Sequence, residues 1–174
     1  MIFKFYVRKE FLIVVISLVF VLFSAFYAAD RDRFSGTQYY APEALRAASL
    51  FKQKCNEYKI VDICDYGFKN LIRISVVGKI NYFNINDDIR AIGLAEFSLF
   101  SNRTKISIDS SIMADKVLFE STVIHELGHA VLRLDHYDDK LAIMNSTVSD
   151  PYTLREKHTE LIDEMFKDFK NSLN

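Results

Sequence analysis

Nineteen consecutive residues, Phe11 to Ala29 (FLIVVISLVFVLFSAFYAA), carry no charge. A helix of that length rises about 1.5 Å per residue and covers the ~30 Å hydrocarbon core of a bilayer. Lys4, Arg8 and Lys9 precede the run, so the positive-inside tendency keeps the N-terminus cytoplasmic and sends the rest across. Residues 1–29 are read as a single-pass signal anchor that is not removed. The alternative is a cleaved signal peptide, which would leave a secreted protein. Signal h-regions are shorter, about 7–15 residues, and want an A-x-A-like site. Here Tyr27 stands two residues before Ala29, and Phe26 two before Ala28. No Cys lies near the end of the run, which argues against a lipid anchor. Either way, the domain after Asp30 is expected in the periplasm or outside the cell.

Once the anchor is set apart, the rest is ordinary. The whole chain is 50% apolar, but the residues after Ala29 are about 44% apolar, typical of a soluble domain. The whole chain's net charge of −1 excludes a strongly basic nucleic-acid binder and an acidic, disordered chain. With 174 residues there is room for one domain beyond the anchor. The expected layout is an anchor at 1–29, a polar linker at 30–41 and a folded domain at 42–174. Cys55 and Cys64, nine residues apart, could form a local disulfide in an oxidising compartment or remain two buried thiols. Two Cys cannot build a Cys-based zinc cluster, so any metal must be held by His or carboxylates.

Pro42 opens an expected helix with apolar Leu45, Ala48, Phe51 and Cys55 at helical period. Leu71 to Val77 reads as a strand, and Ile80 to Ile85 as a possible second. Leu94 to Phe100 and Lys105 to Asp109 read as a hairpin, with Phe97 and Leu99 sharing a core face with Ile106 and Ile108. A helix is expected from about Asp115 to Arg133. Its buried stripe would be Val117, Ser121, Ile124, Gly128 and Val131, with Gly128 serving close packing. A last amphipathic helix, capped near Thr153, would bury Leu154, Leu161, Ile162, Met165, Phe166, Phe169 and Leu173. The fold class is α+β, a mixed twisted sheet backed by helices.

Three of the four histidines fall within twelve residues: His125, His129 and His136. His125-Glu126-Leu-Gly-His129 puts two imidazoles on one face of a helix, a spacing that can grip one Zn²⁺. Glu126 lies about 100° around the helix, where its carboxylate can take a proton from a zinc-bound water and return it to a leaving amine. Asp135, His136 and Met144 follow. The fourth histidine, His158, is read as a surface residue. Asp138-Asp139 is read as a solvated turn.

From Ala91 to Asn145 the chain resembles the metzincin zinc proteases, particularly the matrixin-like ones. Their helix ends in H-E-x-x-H-x-x-G-x-x-H, followed by a tight turn with a Met under the metal. Ala142-Ile143-Met144-Asn145 looks like that Met-turn. Gly93-Leu94-Ala95 and Ile106 to Asp109 look like the two strands that precede the active helix. The chain departs from the family pattern in two ways: Leu132 stands where the family has Gly, and His136 comes seven residues after His129 instead of six. One solution is an extra residue in the turn, with His136 as third ligand and Arg133 or a neighbour making the bend; this is the reading adopted. The other is Asp135 as ligand, as in the aspartate-ligand branch of the family. No segment matches the family's zinc-blocking pro-peptide. The Tyr that some relatives carry two residues after the Met is absent; Tyr137 and Tyr152 are candidate donors, each read first as packing.

The resemblance implies a membrane-anchored zinc endopeptidase acting on peptides or proteins, with no nucleic-acid partner and an oligomeric state left open. An extended substrate would add antiparallel to the sheet edge near residues 94–100. Two alternatives remain. One is a gluzincin-type protease whose third ligand is a Glu on the last helix, where Glu156, Glu160 and Glu164 share a face. The other is an anchored, non-catalytic zinc- or partner-binding domain.

Overall fold

The computed structural model describes residues 9–80, 91–137, 142–146 and 151–173. The expected strand over Ile80 to Ile85 lies outside these except for Ile80, as do Lys4, Arg8 and Asp138-Asp139.

Helix α1, Lys9–Arg33, contains the uncharged run, and its apolar side chains from Leu12 onward are exposed. It is long and apolar enough to cross a membrane. The helix continues past Ala29, and Tyr39–Tyr40 form strand β1, so residues 30–41 carry structure of their own. A 3₁₀ turn at Pro42–Ala44 leads into α2, Leu45–Glu57. Its core face is Ala47, Ala48, Phe51 and Cys55, whereas Leu45 is 49% exposed, because the tight turn before it rotates the first residue outward. Helix α3, Val61–Asn70, is joined to α2 by a Cys55–Cys64 disulfide.

Strand β2 covers Leu71–Val77, β3 Gly93–Phe97 and β4 Thr104–Asp109. The sheet order is β1-β2-β4-β3; β1 and β4 run parallel to β2, and β3 runs antiparallel to β4 as an outer strand. The hairpin register sets Ala95 opposite Ile106 and Phe97 opposite Thr104. Ile106 and Ile108 are fully buried, but the expected partnership with Phe97 and Leu99 does not form. Phe97 ends the strand at the sheet rim, 43% exposed, and Leu99 lies in the turn beyond it, 81% exposed.

Helix α4, Lys116–Leu127, packs against β3, β4 and α2, and α5, Pro151–Ser172, packs against α4 and α2. Asp115 caps α4 by accepting from the Val117 and Leu118 amides and pairs with Arg155 of α5 at 2.7 Å. The first helical residue of α5 is Pro151, upstream of the expected Thr153 cap. Six of its seven expected apolar positions are buried; Leu173, in the last turn, is 48% exposed. The core centres on Phe51, whose ring packs edge-on against Phe68 and Phe166. The molecule is α+β, with a small mixed sheet, helices over it and one apolar N-terminal helix.

Candidate metal centre

Helix α4 presents His125 and Glu126 in its last turn and then changes pitch. Gly128–Leu132 forms a π-helical turn that holds His129. Because a π turn closes i→i+5, it spends one residue more than an α turn on the same rise. Arg133 ends it in the left-handed conformation, φ 59° and ψ 34°. The Leu134 amide then reaches back to the Gly128 carbonyl at 3.2 Å. This conformation is unusual for a residue with a Cβ. Arg133 is held there by its guanidinium, 4.5 Å over the Phe97 ring, and by a bond from Nη2 to the Asn102 carbonyl. The seven-residue step from His129 to His136 thus runs through the end of a π turn and a left-handed residue.

The three imidazoles converge. Nε2 of His129 is 3.0 Å from Nε2 of His125 and 3.1 Å from that of His136, and the third edge is 3.3 Å. His125 Nδ1 lies 2.7 Å from the Ile143 carbonyl, and His129 Nδ1 2.6 Å from the Leu134 carbonyl. A carbonyl only accepts, so each Nδ1 carries the proton and each facing Nε2 offers a lone pair. The two lone pairs of His125 and His129, with His136 Nε2 within 3.3 Å of both, form a set of nitrogen donors that a cation would satisfy. Tetrahedral ligands at 2.0–2.1 Å from Zn²⁺ stand about 3.3 Å apart, which these edges approach. The donor set fits the metal. Among the described residues these three form the cluster, and Asp135 is exposed and outside it.

Glu126 sits beside the triangle, its Oε1 4.0 Å from His125 Nε2. Its carboxylate is buried against β3, where the Ala95 amide donates to it. A Cβ at Gly93 would collide with this carboxylate and lie 2.8 Å from Thr122 Cγ2. Burial raises the Glu126 carboxyl from 4.5 to about 8, with the Ala95 amide opposing. Burial pushes His125 down to about 4, aided by the neighbouring imidazoles, and lowers His129 as well. Without a cation, the site disfavours charge on every one of these groups.

The floor of the site is the turn at 142–146. Met144 is fully buried, and a Cβ on Gly128 would come within 2.6 Å of its Sδ. The close-packing role expected for Gly128 is thus played toward Met144. The Tyr137 amide bonds the Met144 carbonyl at 2.9 Å, and Tyr137 itself packs half-buried against the core. Tyr152, expected to pack, is 75% exposed at the start of α5. Glu156, Glu160 and Glu164 lie on the exposed side of α5.

His158 is a correction. It is half-buried, with Nδ1 3.9 Å from Glu120 Oε1, because α5 turns it inward against α4. Glu120 is also bound by Arg46 at 2.8 Å.

Three contributors escaped the sequence reading: the Ala95 amide, the carbonyls that orient the imidazoles, and Gly67. A Cβ on Gly67 would lie 2.7 Å from the Val131 backbone, so α3 touches the π turn there. The isolated glycines at 67 and 93 were the available signal. No protein-family model, curated protein or solved structure matches the chain.

Proposed function

We propose that the chain is a membrane-anchored, zinc-dependent endopeptidase of the metzincin type. The observation that carries this reading is the triangle of three Nε2 atoms, 3.0–3.3 Å on an edge, with a buried carboxylate 4.0 Å from one corner. His125, His129 and His136 would hold the ion. The family resemblance adds support, since its step of three residues from a left-handed bend to the third His is matched by Arg133 and His136.

Zinc would supply Lewis acidity, lowering the pKa of a water from roughly 16 to about 7. Glu126 takes the proton of the water that attacks the peptide carbonyl. It returns that proton to the amine nitrogen as the C–N bond breaks. Burial raises the affinity of the Glu126 carboxylate for a proton, which favours its acting as the acceptor. An extended peptide would pair along outer strand β3, next to the Ala95 amide that touches Glu126. Helix α1 would hold the enzyme in the membrane, with the domain outside the cytoplasm.

The test is hydrolysis of an unfolded polypeptide by the full chain, with and without chelator, compared with Glu126→Ala. Expected are chelator-sensitive cleavage and a loss of about 10²–10⁴-fold in the variant with its zinc retained. Cleavage at the wild-type rate in that variant would refute the mechanism. Zinc bound without any cleavage would leave the non-catalytic anchored domain.

A further inference from the structure

We propose that the turn between β3 and β4 is a membrane-seated element. Leu99 and Phe100 enter the leaflet on the C-terminal side of α1 and fix the domain's orientation against the bilayer. This rests on reading α1 as a membrane span. Phe100 packs edge-on against two side chains of that helix, Phe23 at 5.4 Å and Tyr27 at 5.3 Å between ring centroids. If the hydrocarbon boundary lies at Ala29, Tyr27 is about 3 Å and Phe23 about 9 Å inside it, at 1.5 Å per residue. Phe100 touches both, so it sits at the depth that apolar side chains of interfacial elements reach, about 5–10 Å. Its neighbour Leu99 is the most exposed large apolar side chain among the described residues, at 81%.

Polar groups gather at the same level as the boundary. Asp30 accepts from the Ser98 hydroxyl at 2.5 Å and from the Leu99 amide at 3.1 Å. Arg33 pairs with Glu96, and Arg103 donates to the Phe34 carbonyl at 2.9 Å. The apolar ring contacts of the turn are thus to α1 residues before Asp30, and its polar contacts are to Asp30 and the residues after it, the order a lipid surface requires. The chain from Leu99 back to Ala95, whose amide holds Glu126, is four residues, about 13 Å at 3.3 Å per residue. The histidine cluster is thereby kept close to the membrane, where it can reach only chain segments near the lipid surface.

The sequence has no Trp, so single tryptophans report position without background. The full chain is reconstituted in phosphatidylcholine vesicles with and without brominated acyl chains, carrying Leu99→Trp, Phe20→Trp or Tyr152→Trp. Phe20 lies on the exposed surface of α1, and Tyr152 at the exposed start of α5. Expected are blue-shifted emission and comparable quenching for L99W and F20W, with Y152W unquenched. If F20W is quenched and L99W emits as in water, the span stands and the inference falls. If L99W is blue-shifted but unquenched, a protein surface covers the turn and the inference again falls. An unquenched F20W overturns both the span and the inference. Equal quenching of Y152W means indiscriminate adsorption and also overturns it.

Discussion

Gly93 has no side chain where Glu126 needs room. Adding one methyl group would press on the carboxylate and on Thr122, whereas no imidazole atom is among the atoms it would meet first. Gly93→Ala should therefore keep its zinc and lose turnover by about 100-fold, the scale of a misplacement near 1 Å. Metal analysis alongside initial rates checks this; loss of zinc in step with activity would contradict it. The raised Glu126 carboxyl has its own signature in the metal-free protein. The folded chain holds that proton to about pH 8, whereas the unfolded chain releases it near 4.5. Between those values the unfolded state binds fewer protons, so this group's contribution to stability falls as pH rises. Metal-free Glu126→Gln lacks the titration and should gain on wild type from about pH 4.5 to about pH 8. Denaturation midpoints of the two proteins across that range measure the gap, and a constant difference would contradict the assignment.

At the scale of elements, the π turn at Gly128–Leu132 sets how His129 stands relative to His125 and His136. It is braced from outside by Gly67 of α3, in contact with the Val131 backbone. Gly67→Ala should cost about 1–3 kcal/mol of stability, as overpacking does, and weaken metal binding by shifting the turn. Unchanged zinc affinity in a destabilised Gly67→Ala protein would show that the brace does not set the register. Much of this was legible in the sequence. Strand β2 was read at its observed bounds because β-branched residues mark it, and the last helix was found from its apolar period. Helix α3 was not, since VDICDYGFKN is short, mixes polar with apolar residues and carries a mid-helix Gly. The His125–His129 pair is a local pattern and was plain, whereas the choice between Asp135 and His136 needed the pitch of the chain between them. A π turn leaves no compositional mark; its trace was the seven-residue spacing. Phe97 and Leu99 misled because alternation says which side a residue faces, and says nothing of where a strand ends.

Across the whole molecule, the apolar sequence divides into two uses. One part is a core around Phe51 and Phe166, stapled on one side by Cys55–Cys64. The other is α1, whose exposed side chains have no core to join. The two meet at the β3–β4 turn, and the same hairpin carries the outer strand that supports Glu126. The apolar helix, the edge strand and the histidine cluster are thus connected through one hairpin, and the proposed zinc would sit at that cluster. The decisive measurement is the zinc content of the purified full chain, with His136→Ala and Asp135→Ala measured alongside. Expected is one zinc per chain in wild type and Asp135→Ala, with loss in His136→Ala. Wild type free of zinc, or zinc kept by His136→Ala and lost by Asp135→Ala, would contradict the account.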